Sequence, residues 1–228
     1  MAHLAHYKEA HPLPFNVTHW INLVCVVLLV LSGFIIHYPY LAGLTGLCRG
    51  LHVFCGIILV LNCIVRIILA FLVQSAPTGG TRNTVRDYKT WLPQKDNRHQ
   101  GIPWIKYYFF IKKDHPLSAK LGVPQKISYL CVPVLILFMG FTGFSLWNVT
   151  NGVGPFAAFV VAMGGIMYVR MLHFFLMFVF ICFAMLHIYL VLIEGTALAK
   201  NMLFRKEHNG LVYDPNRHVV VGEDNSLE

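Results

Sequence analysis

Residues 170–193 read RMLHFFLMFVFICFAMLHIYLVLI, an apolar run of 24 residues broken by two histidines and one terminal arginine. A helix needs about 20 such residues to cross a hydrocarbon layer of about 30 Å. Three more windows qualify, at residues 20–40, 51–73 and 127–147. Lipid offers the backbone no hydrogen bonds, so each window must be a helix or a strand of a closed barrel. Unbroken apolarity, with no alternation of period two, excludes the barrel. The expected fold is therefore an all-α integral membrane bundle of four transmembrane helices, residues 1–200, followed by a tail over residues 201–228.

Composition agrees. Of the 228 residues 57% are hydrophobic and 12% are charged, about half the charged share of a soluble domain. Mean hydropathy is +0.61. The net charge of +8 is unevenly placed: ten of the 18 Lys and Arg residues lie between Arg82 and Lys126, and four more follow residue 199. Basic residues flanking apolar spans report topology rather than nucleic-acid binding. They predict a multi-pass membrane protein with both termini and the loop 74–126 in the cytoplasm. Residues 152–169 are apolar but interrupted by glycine and proline. They read as a bent or interfacial helix on the outer surface, since a fifth span would separate the two basic regions. The stretch 104–113, aromatic and basic, reads as a surface helix anchoring the central loop. The six cysteines form no Cys-x-x-Cys motif and read as small apolar residues of the spans; a bridge between Cys48 and Cys55 across a helix turn near the outer surface is the less favoured alternative.

Five of the 12 histidines lie in or at the ends of the spans: His19, His37, His52, His173 and His187. Ionisable groups at membrane depth are costly and mark functional sites. His173 and His187 are 14 residues apart, hence about 21 Å along a helix and only ~40° from four whole turns. One helix face thus presents imidazoles at two depths. His187 can meet His19 at the inner level, and His173 can meet His52 at the outer level, with His37 as the reserve outer ligand. Two facing imidazoles supply the axial ligands of a haem iron, and helix bundles hold such cofactors between facing helices. Zinc would need four convergent ligands, or three and water. Arg66, 14 residues after His52, either holds a haem propionate or extends its charge to the interface. Arg49 and Arg170 are weaker candidates of the same kind. The remaining seven histidines read as surface residues of tails and loops.

His19-Trp20 with Ser32-Gly33, Arg49-Gly50-Leu51-His52, Arg170-Met171-Leu172-His173 and His187-Ile188-Tyr189 resemble the di-haem cytochrome b subunits of bacterial respiratory hydrogenases and formate dehydrogenases. Tyr107–Lys113, Pro124-Gln125-Lys126 and Thr142-Gly143-Phe144 look more like the hydrogenase branch. The resemblance covers most of Asn16–Gly195. It implies two haem b groups, with His19 and His187 on the inner one and His52 and His173 on the outer. It also implies a quinone, menaquinone or ubiquinone, near Gln125 and Lys126. The implied partners are periplasmic iron–sulfur and catalytic subunits. The expected function is to carry electrons from such an oxidoreductase to the quinone pool. A quinol-oxidising or stand-alone di-haem reductase and a haem-free scaffold or transporter are the alternatives.

Overall fold

A computed structural model describes residues 7–77, 82–92, 100–112, 121–194, 197–208, 210–214 and 219–224. His3, His6, His99, His115 and His218 lie outside the described residues. Eight α-helices follow in order among those described: α1 Leu13–His37, α2 Thr45–Leu72, α3 Tyr88–Trp91, α4 Gly101–Tyr108, α5 Val123–Leu146, α6 Gly154–Ala162, α7 Ile166–Glu194 and α8 Ala197–Phe204. Four of them are long and apolar enough to span a membrane, over Leu13–His37, Ala42–Leu72, Gln125–Leu146 and Ile166–Leu192. All four overrun the windows read from hydropathy at one end or both. The backbone goes on making helical hydrogen bonds past the apolar window, into the polar interface.

The spans bury little of themselves in protein. Only 11–28% of each apolar window is buried, and side chains such as Leu31, Phe54, Val134 and Phe175 stand more than half exposed. In water so many bare apolar side chains would be strongly unfavourable. In lipid they are the normal outer face of a spanning helix.

The chain packs as two compact units, residues 18–65 with 133–190, and residues 1–17 with 66–132 and 191–228. The first holds the central parts of the four spans. Asn62 joins α2 to α1 there, its Nδ2 donating to the Thr18 carbonyl at 2.7 Å and to Asn22 Oδ1 at 2.6 Å. α2 and α5 approach closely at Gly140, where an added Cβ would stand 2.5 Å from Val60 Cγ2. Small residues permit such approach where no hydrophobic effect drives helices together. Phe34 meets Phe174 and Phe178 edge-on. The interrupted stretch after α5 is a separate helix, α6, whose nine residues reach about 13 Å at 1.5 Å each, too short to cross. Phe156 and Phe159 seat it on Phe141 of α5. Gly164 and Gly165, at φ +83° and +125°, make the turn into α7 in backbone that glycine adopts without a Cβ clash.

The second unit gathers the helix ends, loop and tails. Strands β1 Gln74–Ser75 and β2 Val85–Arg86 pair antiparallel, and the Ala76 N–H donates to the Glu9 carbonyl at 2.8 Å. Arg82 contacts Glu207 at 3.3 Å and Glu9 at 3.5 Å. Helix α4 covers the start of the aromatic-basic stretch and buries Trp104 against Gly122, where a Cβ would come within 2.9 Å of the indole. The tail forms a hairpin unforeseen from sequence, β3 Gly210–Asp214 with β4 Val219–Asp224. All six cysteines are free thiols, so Cys48 and Cys55 are not bridged.

Filling the Gly140 contact should loosen the α2–α5 seam. Gly140→Ala is expected to lower stability by about 1–3 kcal/mol, the usual cost of overpacking. Thermal unfolding in detergent measures it, and Gly140→Ala with Val60→Ala should melt above the single variant.

Candidate functional site: two histidine pairs

The helical register brings the four expected histidines together two by two, all within the first unit. His19 on α1 and His187 on α7 have ring centroids 6.2 Å apart with planes at 52°. His52 on α2 and His173 on α7 stand at the same 6.2 Å, with planes at 67°. Two metal–imidazole bonds of about 2 Å, each with about 1 Å more from nitrogen to ring centre, span roughly 6 Å. Each pair is therefore spaced to take one metal ion between its rings. Among the described residues, no group of three or more His, Cys, Asp or Glu gathers in a metal-holding arrangement. A two-imidazole site suits an iron whose other ligands come from a macrocycle, and does not suit zinc.

The polar atoms around the rings fit the same use. Nδ1 of His52 lies 2.9 Å from Ser32 Oγ of α1, and Nδ1 of His173 lies 2.8 Å from Thr142 Oγ1 of α5. With one ring nitrogen engaged, the other is left to bind. Nδ1 of His19 is buried with no hydrogen-bond partner, which is uncommon for a buried polar atom and expected of a ring whose nitrogens serve something beyond the polypeptide. The donor chemistry, spacing and burial thus fit haem b.

Comparison with protein families matches residues 10–205 to one described as prokaryotic cytochrome b561. The chain belongs to the prokaryotic cytochrome b561 family. These are di-haem b cytochromes of nickel–iron hydrogenase type, so membership makes this a multi-pass electron-transfer protein and implies haem b. No curated protein matches the sequence.

Other residues singled out in this family member have more local engagements. His37 stacks on Phe174 at 3.8 Å and 6°, lining a shallow apolar groove of about 240 Å³ with Arg170 and Met171. Arg49 and Arg170 are exposed. Gln125 accepts the N–H of Gly122, the reciprocal half of a capping box at the start of α5. Lys126 is buried and donates through Nζ to the Leu92 carbonyl at 2.7 Å. Both residues thus have structural duties where the resemblance implies a quinone.

Arg66 has a carboxylate in the second unit. Its Nη2 lies 2.8 Å from Oδ2 of the buried Asp87, and its guanidinium covers the Phe15 ring at 3.9 Å. Asp87 also accepts from Ser75 Oγ at 2.6 Å and Trp91 Nε1 at 2.9 Å. A guanidinium neutralised in this way attracts a second anion more weakly, so Asp87 bears directly on the propionate expectation. Sequence reading passed over Asp87, although an acid 21 residues from an intramembrane arginine, in a loop otherwise rich in Lys and Arg, was the available signal. It also treated Ser32 and Thr142 as parts of motifs rather than as partners of histidines.

Removing one member of a buried ion pair strands the other and costs about 3–5 kcal/mol. Asp87→Ala should show a loss of that order in thermal unfolding. Arg82→Ala, at a solvent-facing pair, should leave the transition nearly unmoved.

Proposed function

We propose that the chain is the membrane subunit through which a periplasmic oxidoreductase delivers electrons to the quinone pool. In this reading His19 and His187 hold one haem b, and His52 and His173 hold the other. The observation that carries it is the repeated 6.2 Å pairing of imidazoles at two positions of α7, 14 residues and about 21 Å apart. Haem when bound supplies reversible one-electron transfer at each pair.

The chain's own residues do the rest. Nitrogen lone pairs fix the two groups at separate depths, about one half of the membrane each. Leu176, Met177 and Phe180, buried on α7 between the two histidines, keep water from the space between the pairs. The lipid-facing outer surface of the four spans holds the whole at membrane depth. The excess of Lys and Arg in the 74–126 connection and after residue 199 supports a cytoplasmic loop and cytoplasmic termini. His19 and His187 are then the inner pair, and His52 and His173 the outer.

The family's hydrogenase type supports a nickel–iron hydrogenase, with its iron–sulfur subunit, as the donor; a formate dehydrogenase is the next choice. Delivery at the outer pair and quinone reduction near the cytoplasmic face follow from that orientation. Gln125 and Lys126 at the start of α5 are the residues this reading assigns to the quinone, menaquinone or ubiquinone, and would have to release their present local contacts to bind it.

His187→Ala tests the ligand assignment. The purified variant should contain one haem b per chain where the parent contains two, with its helical circular dichroism intact. Two haems retained in His187→Ala would refute it.

A further inference from the structure

Ser32-Gly33 on α1 and Thr142-Gly143 on α5 are the same dipeptide pattern, a hydroxyl residue followed by glycine. Each meets one histidine of the His52–His173 pair in the same manner. Ser32 Oγ lies 2.9 Å from His52 Nδ1, while an added Cβ on Gly33 would lie 3.4 Å from His52 Cε1. Thr142 Oγ1 lies 2.8 Å from His173 Nδ1, and a Cβ on Gly143 would lie 3.3 Å from His173 Cε1. At each place the hydroxyl reaches the ring and the glycine lets the helix backbone lie against it. Both hydroxyl residues are buried, Thr142 completely.

The hydroxyl protons have another destination. Ser32 Oγ donates to the Leu28 carbonyl at 2.6 Å, with the Leu29 carbonyl, which also accepts from the His52 ring, at 3.3 Å, and Thr142 Oγ1 donates to the Met139 carbonyl at 2.9 Å. A hydroxyl has one proton and two lone pairs. With its proton spent on a carbonyl that has none to give, each oxygen can only accept from the imidazole. The proton of each ring then resides on Nδ1, and Nε2 carries the free lone pair. At the other pair, Nδ1 of His19 is buried with no hydrogen-bond partner among the described residues.

We infer that Ser32 and Thr142 are positioning residues that lock His52 and His173 in the tautomer presenting Nε2, and that they lower the reduction potential of the group these histidines hold. An imidazole that donates from its far nitrogen is a more basic ligand, and a more basic ligand favours the ferric state. Hydrogen bonding to the ligand shell is one of the levers by which a protein sets haem potential. The two pairs, equal in spacing, are thereby made unequal in electronics: the hydroxyls depress the potential at the His52–His173 pair only. With electrons entering at that pair, the bias favours passage toward the His19–His187 pair. This inference rests on the ligand reading given above.

The test is a redox titration of the full chain with haem content measured alongside. Thr142→Val removes the hydroxyl at nearly constant volume, and Thr142→Ser restores it. Thr142→Val should retain two haems per chain, with one midpoint potential raised and the other unchanged; Thr142→Ser should return the parent value. Ser32→Ala, on the opposite histidine, should raise the same midpoint and covers the event that the buried Thr142 site does not tolerate valine. Unchanged midpoints in Ser32→Ala and in any two-haem Thr142→Val protein would overturn the inference. His173→Ala separates the two levels of the argument. Loss of one haem there with unmoved midpoints in the hydroxyl variants removes only the role of Ser32 and Thr142. Two haems retained in His173→Ala removes the ligand reading beneath it.

Discussion

An imidazole placed at membrane depth has two ring nitrogens to satisfy and no water to satisfy them. Four such rings stand in pairs here, and the arrangement of the spans follows from where they meet. α7 supplies one ring to each pair, while α1 and α2 supply one apiece. α5 carries no histidine, yet it presents Thr142 to His173 and packs its Gly140 against Val60 of α2. The four helices are thus committed to one another through the sites rather than through a large apolar core. That is consistent with how little of each span is buried in protein.

This division of labour differs from that of a soluble bundle. Between lipid-exposed helices the hydrophobic effect gives no preference for protein over lipid, so specificity must come from close packing and hydrogen bonds. The Asn62 link to Thr18 and Asn22 and the Gly140 approach are of that kind. Toward the end of the α2 span, the part-buried Arg66 and its partner, the buried Asp87, with Ser75 and Trp91 do the corresponding work, tying the end of α2 to the loop that follows it.

Much of the architecture was legible in sequence because its signals are one-dimensional. Apolar run length gave the four spans, and helical periodicity over the 14 residues from His173 to His187 gave two depths on one face. The pairing of His19 with His187 and of His52 with His173 followed from depth alone. Other features depend on which residues meet in three dimensions, and no periodicity reports that. Asp87 reaches Arg66 only because a two-residue strand pairing turns the chain back after α2. The Ser32 and Thr142 hydroxyls become informative only when each is seen on its histidine. Likewise, Gly164 and Gly165 marked an interruption, but their positive φ angles decide that α6 and α7 are separate helices rather than one bent one. The tail hairpin's strands, five and six residues long, are too short to declare themselves beside the long apolar spans.

The central claim is that the two imidazole pairs each hold a haem b. Pyridine haemochrome quantification of the purified full-length chain, with its reduced-minus-oxidised spectrum, tests this most directly. Two b haems per chain, both low-spin as two nitrogen ligands require, is the expected result. Protein made with ample haem supply that contains one haem, or none, would contradict the account.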